Sequence, residues 1–354
     1  MIKVPSCNQE KYWETVNRGF KRFPAREDNY RKYIKNEEMG FMGDVDYLPI
    51  KMDYEVSSRC NFRCKMCLMS ENPEGRPPNM TLEDFKSSID QQSGLIEVKL
   101  QGLGEPLLNR NFYKMAEYTV GKDIWTRTTT NASILHIDEQ YKKLIDTGIG
   151  EIQISIDGAT KETFEKIRVG SDFDQIVRNV GMLNDYAEKK NELWKTSCWV
   201  MLQKDNIHEI MDILELANNL KFRRLVYQLS PNDFGKEKWK IINGSKTVNK
   251  SVSDECKERL YARGKEYDIA VSFWDTDGIY KNKKICPWLF GRSYITSQMR
   301  ITPCCMYWEN EICDLGDARR FCDEWKSRKY EALREAIKNK NIPYICKRCY
   351  GMER

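Results

Sequence analysis

The chain has 354 residues and carries 58 Lys and Arg against 53 Asp and Glu, a net charge of +5 spread along its length, so nothing in the charge calls for nucleic acid as a partner. No stretch nears the roughly 18 apolar residues of a membrane span, and the amino terminus MIKVPSCNQEKYWETV lacks an apolar core with a small-residue cleavage site, so a cytoplasmic protein with no membrane partner is expected. Thirteen cysteines, an odd number, then argue for metal or redox chemistry over a disulfide framework, and with two histidines only, His136 and His208, histidine-based sites are not expected.

In chain order, residues 1–50 read as a helical segment with no β-hairpin. From residue 51 a strand-then-helix alternation sets in, with strands at 51–57, 95–101, 124–131, 151–157, 195–202 and 224–230. Thr81 and Asp84 suit a capping box at the first intervening helix, and Phe173, Ile176, Val177, Val180 and Leu183 repeat as one buried helix face. Six β/α units are too few for a closed eight-unit barrel, which predicts an α/β fold of the partial barrel kind.

Parallel strands covered on both faces should be almost wholly apolar, and these are not. Met52, Tyr54 and Val56 alternate with Asp53 and Glu55; Ile96, Val98 and Leu100 with Glu97, Lys99 and Gln101; Ile152, Ile154 and Ile156 with Gln153, Ser155 and Asp157. A period of two puts each polar set on one face. With the apolar sets against the helices, the polar sets line a wet lumen suited to a hydrophilic substrate; strands at an exposed edge would show the same alternation.

The first strand runs into SSRCNFRCKMCL, three cysteines spaced C-x3-C-x2-C with no fourth nearby, on the loop where β/α folds keep their chemistry. A structural zinc site wants four ligands, whereas a 4Fe-4S cube held by three thiolates keeps one iron open. Cys60, Cys64 and Cys67 thereby resemble the signature of the radical S-adenosylmethionine (radical SAM) enzymes, which fold as a partial (β/α)6 barrel. The resemblance implies that the cosubstrate chelates the open iron and is cleaved reductively to a 5′-deoxyadenosyl radical that takes a substrate hydrogen. Four further matches carry it. Gly102, Gly104, Glu105 and Pro106 of QGLGEPLLN resemble the turn that receives the methionine amino group, Ser155 and Arg168 the holders of its carboxylate and ribose, Met66 the residue against the adenine, and Asn131 the third-strand asparagine.

Residues 233–285, with the lysine-rich GKEKWKIINGSKTVNK, read as a solvated connection beyond a barrel of residues 51–232. Within 286–354, Cys286, Cys304, Cys346 and Cys349 have spacers of 17, 41 and 2 residues and resemble the twitch domain, the short relative of the SPASM domain, which implies an auxiliary 4Fe-4S cluster; four-thiolate zinc has the same look. Met299 stands where that family usually has glycine, which puts the local turn in question.

Twitch enzymes of the 2-deoxy-scyllo-inosamine dehydrogenase type act on cyclitols and sugars. The resemblance and the polar lumen together imply oxidation or epimerisation of a small polar molecule, with flavodoxin or ferredoxin as reductant. A peptide-modifying enzyme is the alternative, and a non-catalytic iron–sulfur electron carrier a third. Cys198, on the fifth strand, and Cys305, beside an auxiliary ligand, are candidate hydrogen donors for an epimerase, although each also reads as a small buried hydrophobe.

Overall fold

The computed structural model describes residues 8–71, 77–281, 285–307 and 313–352. Nine strands form one sheet: β1 (Lys51–Tyr54), β2 (Glu97–Leu100), β3 (Trp125–Thr130), β4 (Glu151–Ser155), β5 (Thr196–Met201), β6 (Arg224–Gln228), β7 (Ala270–Trp274), β8 (Arg292–Ile295) and β9 (Ile301–Thr302). Their order is β7-β6-β5-β4-β3-β2-β1-β8-β9, parallel throughout except for the antiparallel β8–β9 pair. The expected partial barrel with a cysteine-rich carboxyl-terminal part is present, and the sheet extends past it on both sides.

Among the described residues two helices precede the barrel, α1 (Gln9–Arg22), capped by the Asn8 side chain, and α2 (Pro24–Glu38), with Pro at its first position. Tyr12 packs edge-on against Trp125, the first residue of β3, and Arg26 donates to the carbonyls of Lys122 and Asp123, so these helices cover the amino ends of the strands. The opposite end, where the loops after β1, β2 and β4 gather, stays free for chemistry.

The connection expected over 233–285 is structured. It holds a seventh β/α unit, with β7 parallel to β6, and the helix Glu237–Gly244 lies on the loop after β1: Asn243 Nδ2 donates to the Met66 carbonyl at 2.9 Å and Trp239 packs with Leu68 and Met69. Beyond it β8 adds to β1, so the carboxyl-terminal part is joined to the barrel by its sheet. In the β8–β9 turn Met299 has φ +63°, the left-handed conformation that favours glycine, and its side chain is fully buried. The turn forms all the same, its packing offsetting the backbone strain. Among the described residues no helix is long and apolar enough to cross a membrane.

Candidate active site

The loop after β1 is fixed at its outer edge, where the amides of Arg63 and Lys65 donate to the carbonyls of Val169 and Ile167 at 2.8 and 3.0 Å. The amides of Phe62 and Met69 in turn point at the sulfurs of Cys60 and Cys67, both at 3.5 Å. Burial pushes the thiols of Cys60 and Cys64 up to about 12, so neither would ionise at neutral pH without a cation to take the thiolate. Three thiols on one cavity wall, with amides aimed at two of them, suit a thiolate-held cluster.

Across that cavity stands the turn after β2. A Cβ on Gly104 would lie 2.3 Å from the Ser57 carbonyl oxygen and one on Gly102 would lie 2.3 Å from Glu55 Cγ, so Gly104 answers to close approach of the cysteine-loop backbone and Gly102 to the packing of Glu55. Glu105 is buried and accepts from Thr130 Oγ1 at 2.6 Å and the Asn131 amide at 2.7 Å, yet burial still raises it to about 7. Pro106 opens a short 3-10 turn and does not line the cavity; Gly102, Gly104, Glu105, Met66, Asn131, Ser155 and Arg168 do. Arg168 caps the helix Lys161–Ile167 and is buried against Asp157 at 2.7 Å, which fixes the guanidinium at the cavity wall. Asn131 Nδ2 reaches Asn61 Oδ1 at 3.0 Å, tying the third strand to the cysteine loop.

The cavity, of about 420 Å³, runs from these residues to Cys286, Cys304, Cys305 and Cys349, so both cysteine sets open on the same space. Cys346 is not on the wall, but it stands with Cys286, Cys349 and Cys305 around Cys304, whose thiol burial pushes far up. The segment carrying Cys346 and Cys349 is held down by Arg348, which donates to Asp277 at 2.5 Å and to the Pro231 carbonyl at 2.8 Å. Among the described residues no three Cys, His, Asp or Glu side chains close on a point that would hold a single ion.

Asp53, Glu97, Lys99, Gln101, Gln153 and Ser155 line the lumen as their alternation predicts. Glu55, one residue past β1, and Asp157, two residues past β4, do not. Glu55 accepts from the amides of Leu103 and Ser297, and Asp157 holds Arg168 and the Met201 amide. Cys198 also needs correction: it is fully buried on the helix-facing side of β5, opposite Trp199 and Met201, which do line the cavity, and so cannot meet a substrate there. Cys305 lines the lumen near Lys99 and Asp53. Trp274 and Arg292 are wall residues that lay outside the predicted strands.

An open parallel β/α barrel with three cysteines on its first loop defines a class of iron–sulfur enzyme. A family model described as the radical SAM superfamily matches residues 54–217. The chain is 32% identical over 214 residues to GTP 3',8-cyclase of Aliarcobacter butzleri, covering 58% of this chain and 61% of that protein. It is 27% identical over 317 residues to the cyclase of Nautilia profundicola, covering 84% and 93% respectively. To mycofactocin maturase MftC of Mycolicibacterium smegmatis it is 23% identical over 233 residues, covering 65% and 56%. The chain therefore spans less than two thirds of the first and third of these relatives.

Among solved structures, Streptococcus suis SuiB bound to precursor peptide SuiA gives a TM-score of 0.63 at 15% identity, covering 87% of this chain and 71% of that one. BtrN in complex with AdoMet and 2-DOIA gives 0.50 at 15% identity, covering 85% and 93%. These likenesses establish the fold. Residues 54–217 thus match the radical SAM superfamily, whose members use a 4Fe-4S cluster and S-adenosylmethionine, and the relatives named above are a cyclase and a maturase.

Proposed function

We propose that the chain is a peptide-modifying radical SAM enzyme that abstracts a hydrogen from a residue held between two clusters. The observation that carries this is the single cavity reached by both cysteine sets. Cys60, Cys64 and Cys67 would hold the cluster that cleaves S-adenosylmethionine to the deoxyadenosyl radical. Gly102, Gly104, Glu105, Met66, Asn131, Ser155 and Arg168 would seat the cosubstrate, Arg168 by paired hydrogen bonds to its carboxylate, and Pro106 would shape the turn. Cys286, Cys304, Cys346 and Cys349 would hold an auxiliary cube able to accept the electron left after oxidation. Flavodoxin or ferredoxin would supply the first electron.

The likeness to MftC, named a maturase, and to SuiB, solved with a precursor peptide, supports a peptide substrate over the sugar-type substrate expected from the sequence. A second reading, oxidation or epimerisation of a polar small molecule, draws on the charged lumen, with Cys305 as the remaining hydrogen-donor candidate, and on the relatives named for GTP and the BtrN complex with 2-DOIA. The test offers the anaerobic, reconstituted enzyme a precursor peptide encoded beside its gene, and separately GTP and a cyclitol. Peptide-dependent 5′-deoxyadenosine with loss of hydrogen mass from the peptide is the expected result. Stimulation by GTP or the cyclitol alone would overturn the peptide reading.

A further inference from the structure

On the lumen wall Lys99, Arg127, Arg168 and Arg292 stand against Asp53, Glu97 and Glu105, the last raised by burial to about 7. Lys51, Glu97, Arg127 and Glu151 neutralise one another: Lys51 Nζ is 2.6 Å from Glu97, and Arg127 bridges Glu97 at 3.1 Å and Glu151 at 2.9 Å. Against burial, Lys51, Arg127 and Arg292 hold Glu97 far below the usual carboxylate range, so Glu97 is ionised among these cations. At the cosubstrate end Arg168 is matched by Asp157. What is left on the wall beside Cys305 is Lys99, Arg292 and one carboxylate, Asp53.

Neither cation has a carboxylate within ion-pair distance among the described residues: Glu97 and Asp53 favour charged Arg292 only through space, and burial together with Arg127 lowers Lys99 to about 8. Lys99 Nζ donates to the neutral Gln153 Oε1 at 2.8 Å. Among the described residues the Arg292 side chain makes no hydrogen bond or ion pair; its guanidinium lies 5.4 Å from the centre of the Trp288 ring, and the residue lines the lumen. The Asp53 carboxyl likewise has no hydrogen-bond partner among the described residues, and burial raises its pKa against the pull of Lys99 and Arg292. Two cations in an enclosed cavity, facing one carboxylate that is itself poorly solvated, are costly unless something anionic enters.

We infer that Arg292 and Lys99 form a subsite for an anionic group of the substrate, a carboxylate or a phosphate, held at the auxiliary-cysteine end of the lumen. The inference rests on the lumen being the substrate chamber. It fits an acidic side chain or chain-terminal carboxylate of a peptide, and equally the phosphate of a nucleotide, so it adds a requirement to either substrate reading. The competing role for both cations is to neutralise the auxiliary thiolates, since Arg292 also acts on Cys286 and both cations act on Cys305.

The test is anaerobic titration calorimetry of the reconstituted holoenzyme with S-adenosylmethionine present, using succinate, pyrophosphate and the uncharged succinamide as probes. The expected result is binding of one or both anions and not of succinamide, with succinate preferred if the natural group is a carboxylate and pyrophosphate if it is a phosphate. Arg292→Met should weaken the preferred anion by at least about tenfold and Arg292→Lys by less, because the charge is kept and only the fork is lost. Iron content and the EPR signals of both variants identify any that has lost a cluster, in which case Lys99→Met carries the comparison. Equal binding of succinate and succinamide, or anion affinity unchanged in Arg292→Met and Lys99→Met, would overturn the subsite. So would variants whose only change is in the reduction potential of the auxiliary cluster. Uncoupled cleavage of S-adenosylmethionine by the wild type, measured alongside, tests the enzyme reading separately, because anion binding does not depend on it.

Discussion

Gly104→Ala should damage the cosubstrate end of the cavity out of proportion to one added methyl group. A Cβ at this position would stand 2.3 Å from the Ser57 oxygen, 2.5 Å from the Arg59 oxygen and 2.8 Å from the Arg59 nitrogen. All three are backbone atoms of the segment leading into Cys60, so no side-chain rotation relieves the clash. Restoring ordinary contact near 3.5 Å requires a shift of about 1 Å between the two loops. Overpacking of this kind costs about 1–3 kcal/mol, and a displacement of that size at a reacting centre costs about 100-fold in rate. Gly181→Ala supplies the control: it lies in the helix Phe173–Lys189 with nothing within 4 Å of the added Cβ, and should stabilise by about 0.5–1 kcal/mol. Urea unfolding, iron content and S-adenosylmethionine binding, measured on both variants, check this. Wild-type cosubstrate binding in Gly104→Ala would refute the close-approach argument.

Arg168→Ala should strand the buried Asp157, costing about 3–5 kcal/mol of stability, and should weaken S-adenosylmethionine binding by about 30-fold or more without removing iron; Arg168→Ala binding as tightly as wild type in equilibrium dialysis would remove the residue from the cosubstrate site. Glu105, raised by burial from 4.5 to about 7, should make folding stability fall as pH rises between those values, because the unfolded carboxyl ionises while the folded one stays protonated. The loss is on the order of 3 kcal/mol, complete above about pH 7 and absent from Glu105→Gln, as urea unfolding at pH 5 and 7.5 would register. Met299→Gly should relieve about 1 kcal/mol of left-handed strain but empty a fully buried methionine site worth about 2–5 kcal/mol, a net loss that thermal unfolding would detect.

Much of this architecture was legible because its signals are local. The alternation of Glu97, Lys99 and Gln101 with Val98 and Leu100 is a matter of strand period, and the C-x3-C-x2-C spacing needs no tertiary knowledge. What escaped depends on packing between distant segments. Residues Ala270–Trp274 follow a lysine-rich stretch and show little burial contrast, so only pairing with β6 marks them as a strand. Arg292 enters the lumen because β8 pairs with β1 across some 240 residues of chain, a register that neither segment announces. Cys198 was one residue out of phase with the lumen, since Trp199 and not its neighbour faces inward, and a strand known only to within a residue cannot settle which side a single position takes. Glu55 and Asp157 left the expected pattern where their strands end, their carboxylates turning to fasten loops.

The central claim, radical chemistry begun at Cys60, Cys64 and Cys67 beside a second cluster, is tested most directly by anaerobic reconstitution followed by reduction in the presence of S-adenosylmethionine. The account predicts about eight irons per chain and formation of methionine and 5′-deoxyadenosine, whereas the triple variant Cys60→Ala, Cys64→Ala, Cys67→Ala should keep about four irons and form neither product. Deoxyadenosine formation by that variant, or about four irons with one zinc in the wild type, would contradict it.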